Sequence, residues 1–160
     1  MKKVLFLLMA MIAFGFQSVN AQESIKIVTG HPDLKIKVTR CAASGKTVVL
    51  DLTVTNVGDS DIPDFKVHGS GYATKIYDDQ GNIYEGYDKP IKVKIANREY
   101  TTESQEIKLV AGVPFKLSYL ISEVSPQAET LVLVEPDIYC PSWSINKDIV
   151  KLRNIPIARD

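Results

Sequence analysis

From residue 33 onward, apolar and polar side chains alternate with a period of two. Leu34, Ile36 and Val38 alternate with Lys35, Lys37 and Thr39, the pattern of a strand with one buried face. Val48, Leu50, Leu52 and Val54 repeat it against Asp51, Thr53 and Thr55, as do Ile91, Val93 and Ile95 against Lys92 and Lys94. Ile107 and Leu109 flank Lys108, and a further alternating run after Gly112 covers Phe115, Leu117, Tyr119 and Ile121. Thr130 to Val134 reads as a continuous apolar strand and Ile149 to Ile157 as the last one. A strand is also expected from Phe65 to Tyr77, with the flexible patch Gly69-Ser70-Gly71, just after His68, as a bulge within it.

Turn signals separate these runs. Asn56-Val57-Gly58-Asp59-Ser60-Asp61, Asp78-Asp79-Gln80-Gly81-Asn82, Ala111-Gly112 and Ser125-Pro126-Gln127 are rich in residues that tolerate positive φ or bond their own backbone. No window of a dozen residues carries a helical face. Many short strands between regular turns predict an all-β fold, and the apolar face of each sheet must be covered by another. The expectation is an immunoglobulin-like antiparallel β-sandwich of about 7–9 strands.

The chain start changes the picture of where this fold works. Met1-Lys2-Lys3 is positive, Val4 to Phe16 is apolar apart from Gly15, and Val19 and Ala21 are small residues at a cleavage position. This is the layout of a secretory signal peptide over 1–21. A retained anchor is the alternative, but the apolar run falls short of the ~20 residues a spanning helix needs. A flexible lead-in over 22–32 and one domain over 33–160 are expected to follow. The mature chain is expected to carry no membrane anchor and to be periplasmic or extracellular.

Cleavage would leave 139 of the 160 residues, and losing Lys2 and Lys3 from 19 basic against 19 acidic side chains gives a net charge of −2. That balance argues against an electrostatic nucleic-acid binder and against a polybasic membrane binder. Cys41 and Cys140 are the only cysteines. In an oxidising compartment they point to one disulfide closing a loop of about 100 residues, worth about 4–5 kcal/mol in the chain-entropy model. Two buried free thiols are the alternative. Trp143, close to Cys140, is expected to pack against that bond.

The motifs also carry a resemblance. The strand Val48–Thr55 running into Asn56-Val57-Gly58-Asp59, and the hairpin Tyr77-Asp78-Asp79-Gln80-Gly81-Asn82-Ile83-Tyr84, are similar to signatures of secreted bacterial immunoglobulin-like domains. So is Ile107-Lys108-Leu109-Val110-Ala111-Gly112-Val113-Pro114-Phe115, followed by Val124-Ser125-Pro126-Gln127-Ala128 and Leu131-Val132-Leu133. Together these span residues 34–157 and resemble the mycobacterial immunoprotective extracellular protein type. Ala111 stands where that family usually has proline, and the lipoprotein cysteine of many relatives is missing. The resemblance implies a binding or accessory role and brings no catalytic residues.

Candidate chemistry is sparse. His31 and His68 are the only histidines, and no Gly-x-Ser-x-Gly elbow accompanies them. Neither a catalytic set nor a metal site is expected, and no cofactor is implied. Asp59, Asp61 and Asp64, and Asp78, Asp79 and Asn82, form oxygen-rich loops that suit calcium, but turn chemistry accounts for them. Tyr72, Tyr77, Tyr84 and Tyr87 are candidate ligand-facing rings, since aromatic side chains stack on sugars and anchor protein partners. Packing within or at the edge of the sheets is the alternative for them.

These observations favour a secreted, non-enzymatic domain that recognises a protein or glycan at the cell envelope. The alternatives are a small secreted hydrolase or enzyme inhibitor, for which His68 would sit in a cleft beside a serine or carboxylate, and a structural accessory subunit joined through a sheet edge.

Overall fold

A computed structural model describes residues 24–68, 74–85 and 91–159. The expected signal segment 1–21, the Gly69-Ser70-Gly71 patch, Tyr72 and Tyr87 lie outside the described residues. The alternating runs become strands, and the fold is all-β. Among the described residues the strands are β1 (Lys26–Val28), β2 (Leu34–Ser44), β3 (Thr47–Asn56), β4 (Ile62–Val67), β5 (Lys75–Asp78), β6 (Ile83–Glu85) and β7 (Ile91–Ile95). There follow β8 (Gln105–Leu109), β9 (Phe115–Ile121), β10 (Thr130–Glu135), β11 (Ile138–Tyr139), β12 (Lys151–Pro156) and β13 (Ala158–Arg159), with one 3-10 turn over Pro141–Trp143. No helix among them is long and apolar enough to cross a membrane.

The strands form three sheets, in the orders β1-β12-β10-β5-β6, β11-β4-β8 and β13-β2-β3-β9-β7. All pairings are antiparallel except β13 beside β2. The inward side chains of all three sheets meet in one core, where Leu50, Leu52, Phe65, Ile76, Leu117 and Leu152 are fully buried. Burial at about 25 cal/mol per Å² of apolar surface makes this core the main source of stability. Phe65 and Phe115 meet edge-to-face with centroids 5.9 Å apart, linking the three-stranded sheet to its neighbour.

A bulge corrects the register of β2. Between Val38 and Arg40 the pairing with β3 slips by one residue, leaving Thr39 to bond Asp51 O at 3.0 Å through its hydroxyl. Uninterrupted alternation after Val38 would turn Arg40 into the core. The extra residue instead turns Cys41 inward and leaves Arg40 exposed.

Four expectations need correction. The strand count exceeds 7–9 because pieces of two or three residues (β1, β6, β11, β13) are too short to show a period. The expected strand from Phe65 to Tyr77 is two strands, β4 and β5, in different sheets. Part of the expected flexible lead-in over 22–32 is strand β1, which pairs Lys26, Ile27 and Val28 with Arg153, Leu152 and Lys151.

The fourth concerns the cysteines, which are buried free thiols and not a disulfide. Cys41 faces the core from β2, where burial pushes its thiol up to about 12 against the partial pull of Arg159. Cys140 is held on the other side by paired main-chain bonds with Ile145, at 2.9 and 3.0 Å. Its sulfur lies 3.8 Å from Asp64 Oδ1, and burial with that carboxylate pushes the thiol up to about 11. Cys41 lies within β2 whereas Cys140 lies outside the sheets, in an isolated bridge with Ile145, and each thiol has its own neighbours. Trp143 accordingly stacks not on a disulfide but on His31, with centroids 4.7 Å apart and planes 9° from parallel.

Candidate functional site

A groove of about 630 Å³ opens where β1 and β2 part company. The two strands are neighbours in sequence but pair into opposite five-stranded sheets, so the turn between them must span the gap. Gly30 makes that turn with φ +79, a conformation glycine adopts without a Cβ penalty. Ile27, Thr29, His31 and Pro32 line the groove together with residues of β2 and β3.

The turn is held by several short contacts. The carbonyl of His31 accepts the Thr29 hydroxyl at 3.0 Å and the Leu34 amide at 3.2 Å. His31 Nδ1 accepts the Asp33 amide at 3.2 Å, and the face of the ring is covered by Trp143. The half-buried His31 is therefore a positioned side chain. Sequence reasoning placed it in a lead-in and missed it. Gly30-His31-Pro32, a turn signal directly before a strong alternating run, was the signal available.

Charge at the groove is uneven. Lys35 and Lys37, exposed on the outer face of β2, line it together with Thr53 and Thr55 of β3. Lys66, Lys75, Lys108, Lys116 and Lys151 each sit within 4 Å of a carboxylate, whereas Lys35 and Lys37 have no ion pair among the described residues. The groove is thus lined by apolar side chains together with two cationic ones.

The residues picked out from sequence do not converge here. Tyr84 is a correction to the ligand-facing set: it is fully buried. Its hydroxyl donates to Asp78 Oδ2 at 2.7 Å and accepts the Ser125 amide at 3.0 Å. Tyr77 is half-buried on the opposite face of the same hairpin, across from Ile83. The two rings therefore share no surface, because neighbouring strand positions point to opposite faces.

The acidic loops are used internally. Asp61 accepts the Ala111 amide at 2.9 Å and pairs with Lys108 at 2.7 Å, and both hold its carboxyl below the usual range. Asp64 Oδ2 accepts the amide and hydroxyl of Ser142 at 3.1 and 3.0 Å. Asp79 accepts the Glu129 amide at 3.2 Å. No three such side chains cluster as metal ligands among the described residues.

His68 lies at the end of β4, where its amide donates to the Asp137 carbonyl at 3.0 Å. Burial pushes the Asp137 carboxyl up, with the nearby His68 pulling it down. The hydroxyl in this corner, that of Thr74, donates to the His68 carbonyl at 3.2 Å and accepts the Asp137 amide at 3.0 Å. It is committed to the main chain on both sides and does not present itself as a nucleophile.

Deeper in the same corner the Tyr119 hydroxyl is fully buried and has no hydrogen-bond partner among the described residues. An unmatched buried hydroxyl costs about 1–3 kcal/mol. Tyr119→Phe is therefore expected to raise stability by about 1 kcal/mol, since a small void offsets part of the gain. Urea unfolding checks this: a lower midpoint in the variant would mean the hydroxyl has a partner.

Geometry and fold define an all-β protein of three sheets around one core, with an open groove lined in part by two lysines. No family model matches the chain, and neither a curated protein nor a solved structure matches it.

Proposed function

We propose that this chain is an exported immunoglobulin-like β-sandwich that acts by binding, not by catalysis, and recognises a protein or glycan at the cell envelope. The observation that carries this is the groove between β1 and β2: apolar side chains, His31 positioned by its stack on Trp143, and two lysines with no ion pair among the described residues line one open volume. Concave sites with a few placed polar groups among apolar ones are where ligands bind. The charged, apolar-led first residues support export, and the order of strand and turn motifs supports the immunoglobulin-like class.

The test is capture from an envelope extract, together with a glycan array, using wild type and Thr55→Arg, which fills the groove from the outer face of β3. A partner held by wild type and lost by the variant is expected. Binding indifferent to the variant, or substrate turnover with no partner, would overturn the proposal. Hydrolysis is favoured only by the His68–Asp137 contact, and it predicts that His68→Ala abolishes any turnover found.

A further inference from the structure

We infer that the groove takes an extended acidic peptide, added as a strand along the free edge of β2, an inference that rests on the groove being the recognition site. The main-chain bonds carry it. The Asp33 carbonyl accepts the Val57 amide at 2.8 Å, so these two residues form a hydrogen-bonded pair in the β2–β3 register. Antiparallel pairs alternate between bonded and unbonded, which makes Lys35/Thr55 and Lys37/Thr53 the bonded pairs. The carbonyl of Leu34 and both main-chain groups of Ile36 therefore point away from β3.

Nothing among the described strands pairs with them. β13 covers β2 only at Ala42 and Ala43, after the bulge at Thr39, because the chain leaves for β12 on the other side of Ile157. The open stretch from Leu34 to Val38 is about 17 Å long. Residues from both faces of β2 line the same groove, Leu34 and Ile36 from the inner and Lys35 and Lys37 from the outer. That occurs where the groove runs along the strand edge itself.

An open edge is a template for strand addition, and its flanking side chains state what fits. Cross-strand neighbours lie about 4.5–5.5 Å apart. A strand added here sets alternate side chains beside Lys35 and Lys37, and the others over Leu34, Ile36 and Ile27. Carboxylates suit the first set and branched apolar groups the second. Two lysines with no ion pair among the described residues repel a basic strand, which selects against it.

The experiment titrates the isotope-labelled full chain with a blocked peptide of alternating glutamate and valine, and with its lysine–valine counterpart. The acidic peptide is expected to shift the Ile36 amide and its neighbours and to slow their exchange. The basic peptide is expected to do neither. Lys35→Glu/Lys37→Glu, checked for an unchanged far-ultraviolet spectrum, is expected to weaken binding roughly tenfold, and added salt to weaken it in wild type. Equal binding of both peptides, shifts away from β2, or a second copy of the chain occupying the edge at rising concentration would overturn the inference. A glycan that perturbs His31 and Trp143 where the peptide perturbs nothing overturns strand addition and leaves groove recognition standing. A groove unmoved by either overturns both.

Discussion

Asp78→Ala is expected to lower stability by about 3–5 kcal/mol. Asp78 ends β5 and is 4% exposed, yet its carboxylate is fully engaged. Oδ1 accepts the amides of Gln80 and Asn82, both at 2.9 Å. Oδ2 accepts the Asn82 side-chain amide at 2.9 Å and the Tyr84 hydroxyl at 2.7 Å. One side chain thus closes the turn between β5 and β6 and, through Tyr84, ties it to the amide of Ser125. Alanine leaves four donors without their acceptor. Asp78→Asn keeps the two amide bonds and is expected to cost about 1–3 kcal/mol.

The same site sets an acid limb. Burial alone would raise the Asp78 carboxyl, but bonds from Asn82, Tyr84 and Gln80 outweigh it and hold it below the usual range. A lowered folded value means stability present above about pH 4 and lost as pH falls through the folded value. Asp51, buried but bonded by Ser118 at 2.6 Å and Lys116 at 3.0 Å, is lowered in the same way and adds to the limb. Asp137 is raised, so its contribution is present in acid and lost as pH rises through its folded value. Urea midpoints between pH 7 and 2 are expected to show wild type and Asp78→Ala converging in acid. A constant gap would show that the carboxylate's charge is not what stabilises the turn.

Gly30→Val is expected to cost about 2–4 kcal/mol. Two effects combine there. The backbone sits at φ +79, where a side chain is strained, and a Cβ would run into the Cγ2 of Ile149. Ile149 packs against the core, so the methyl has little room to retreat. Gly45, in the two-residue turn between β2 and β3, separates the terms: its φ is +58, but nothing lies within 4 Å of an added Cβ. Gly45→Ala is expected to cost only about 1 kcal/mol. Because Gly30 positions His31, its valine variant is also expected to disturb the His31–Trp143 stack, read as a change in Trp143 fluorescence. Equal costs at the two glycines would remove the Ile149 contact from the explanation.

Much of the secondary structure was legible in the residues, and little of the candidate site. Strand side chains alternate because of backbone geometry alone, so β2, β3, β7 and β9 announce themselves whatever they pair with. Turn chemistry is equally local: Asn56 Oδ1 accepts the Gly58 amide at 3.0 Å, and Asp78 closes its own loop. Tyr84 shows the limit, since an aromatic residue in a hairpin reads alike whether the ring faces solvent or core.

What the sequence determined, then, is the period-two strands, their punctuating turns and the buried face of each run. Tertiary structure decided which sheet each strand joined, that Cys41 and Cys140 stay apart, and that β1 and β2 diverge to leave a groove. The reason is range. Alternation and turns are settled within a few residues, whereas pairing depends on segments that meet only after the chain has closed long loops.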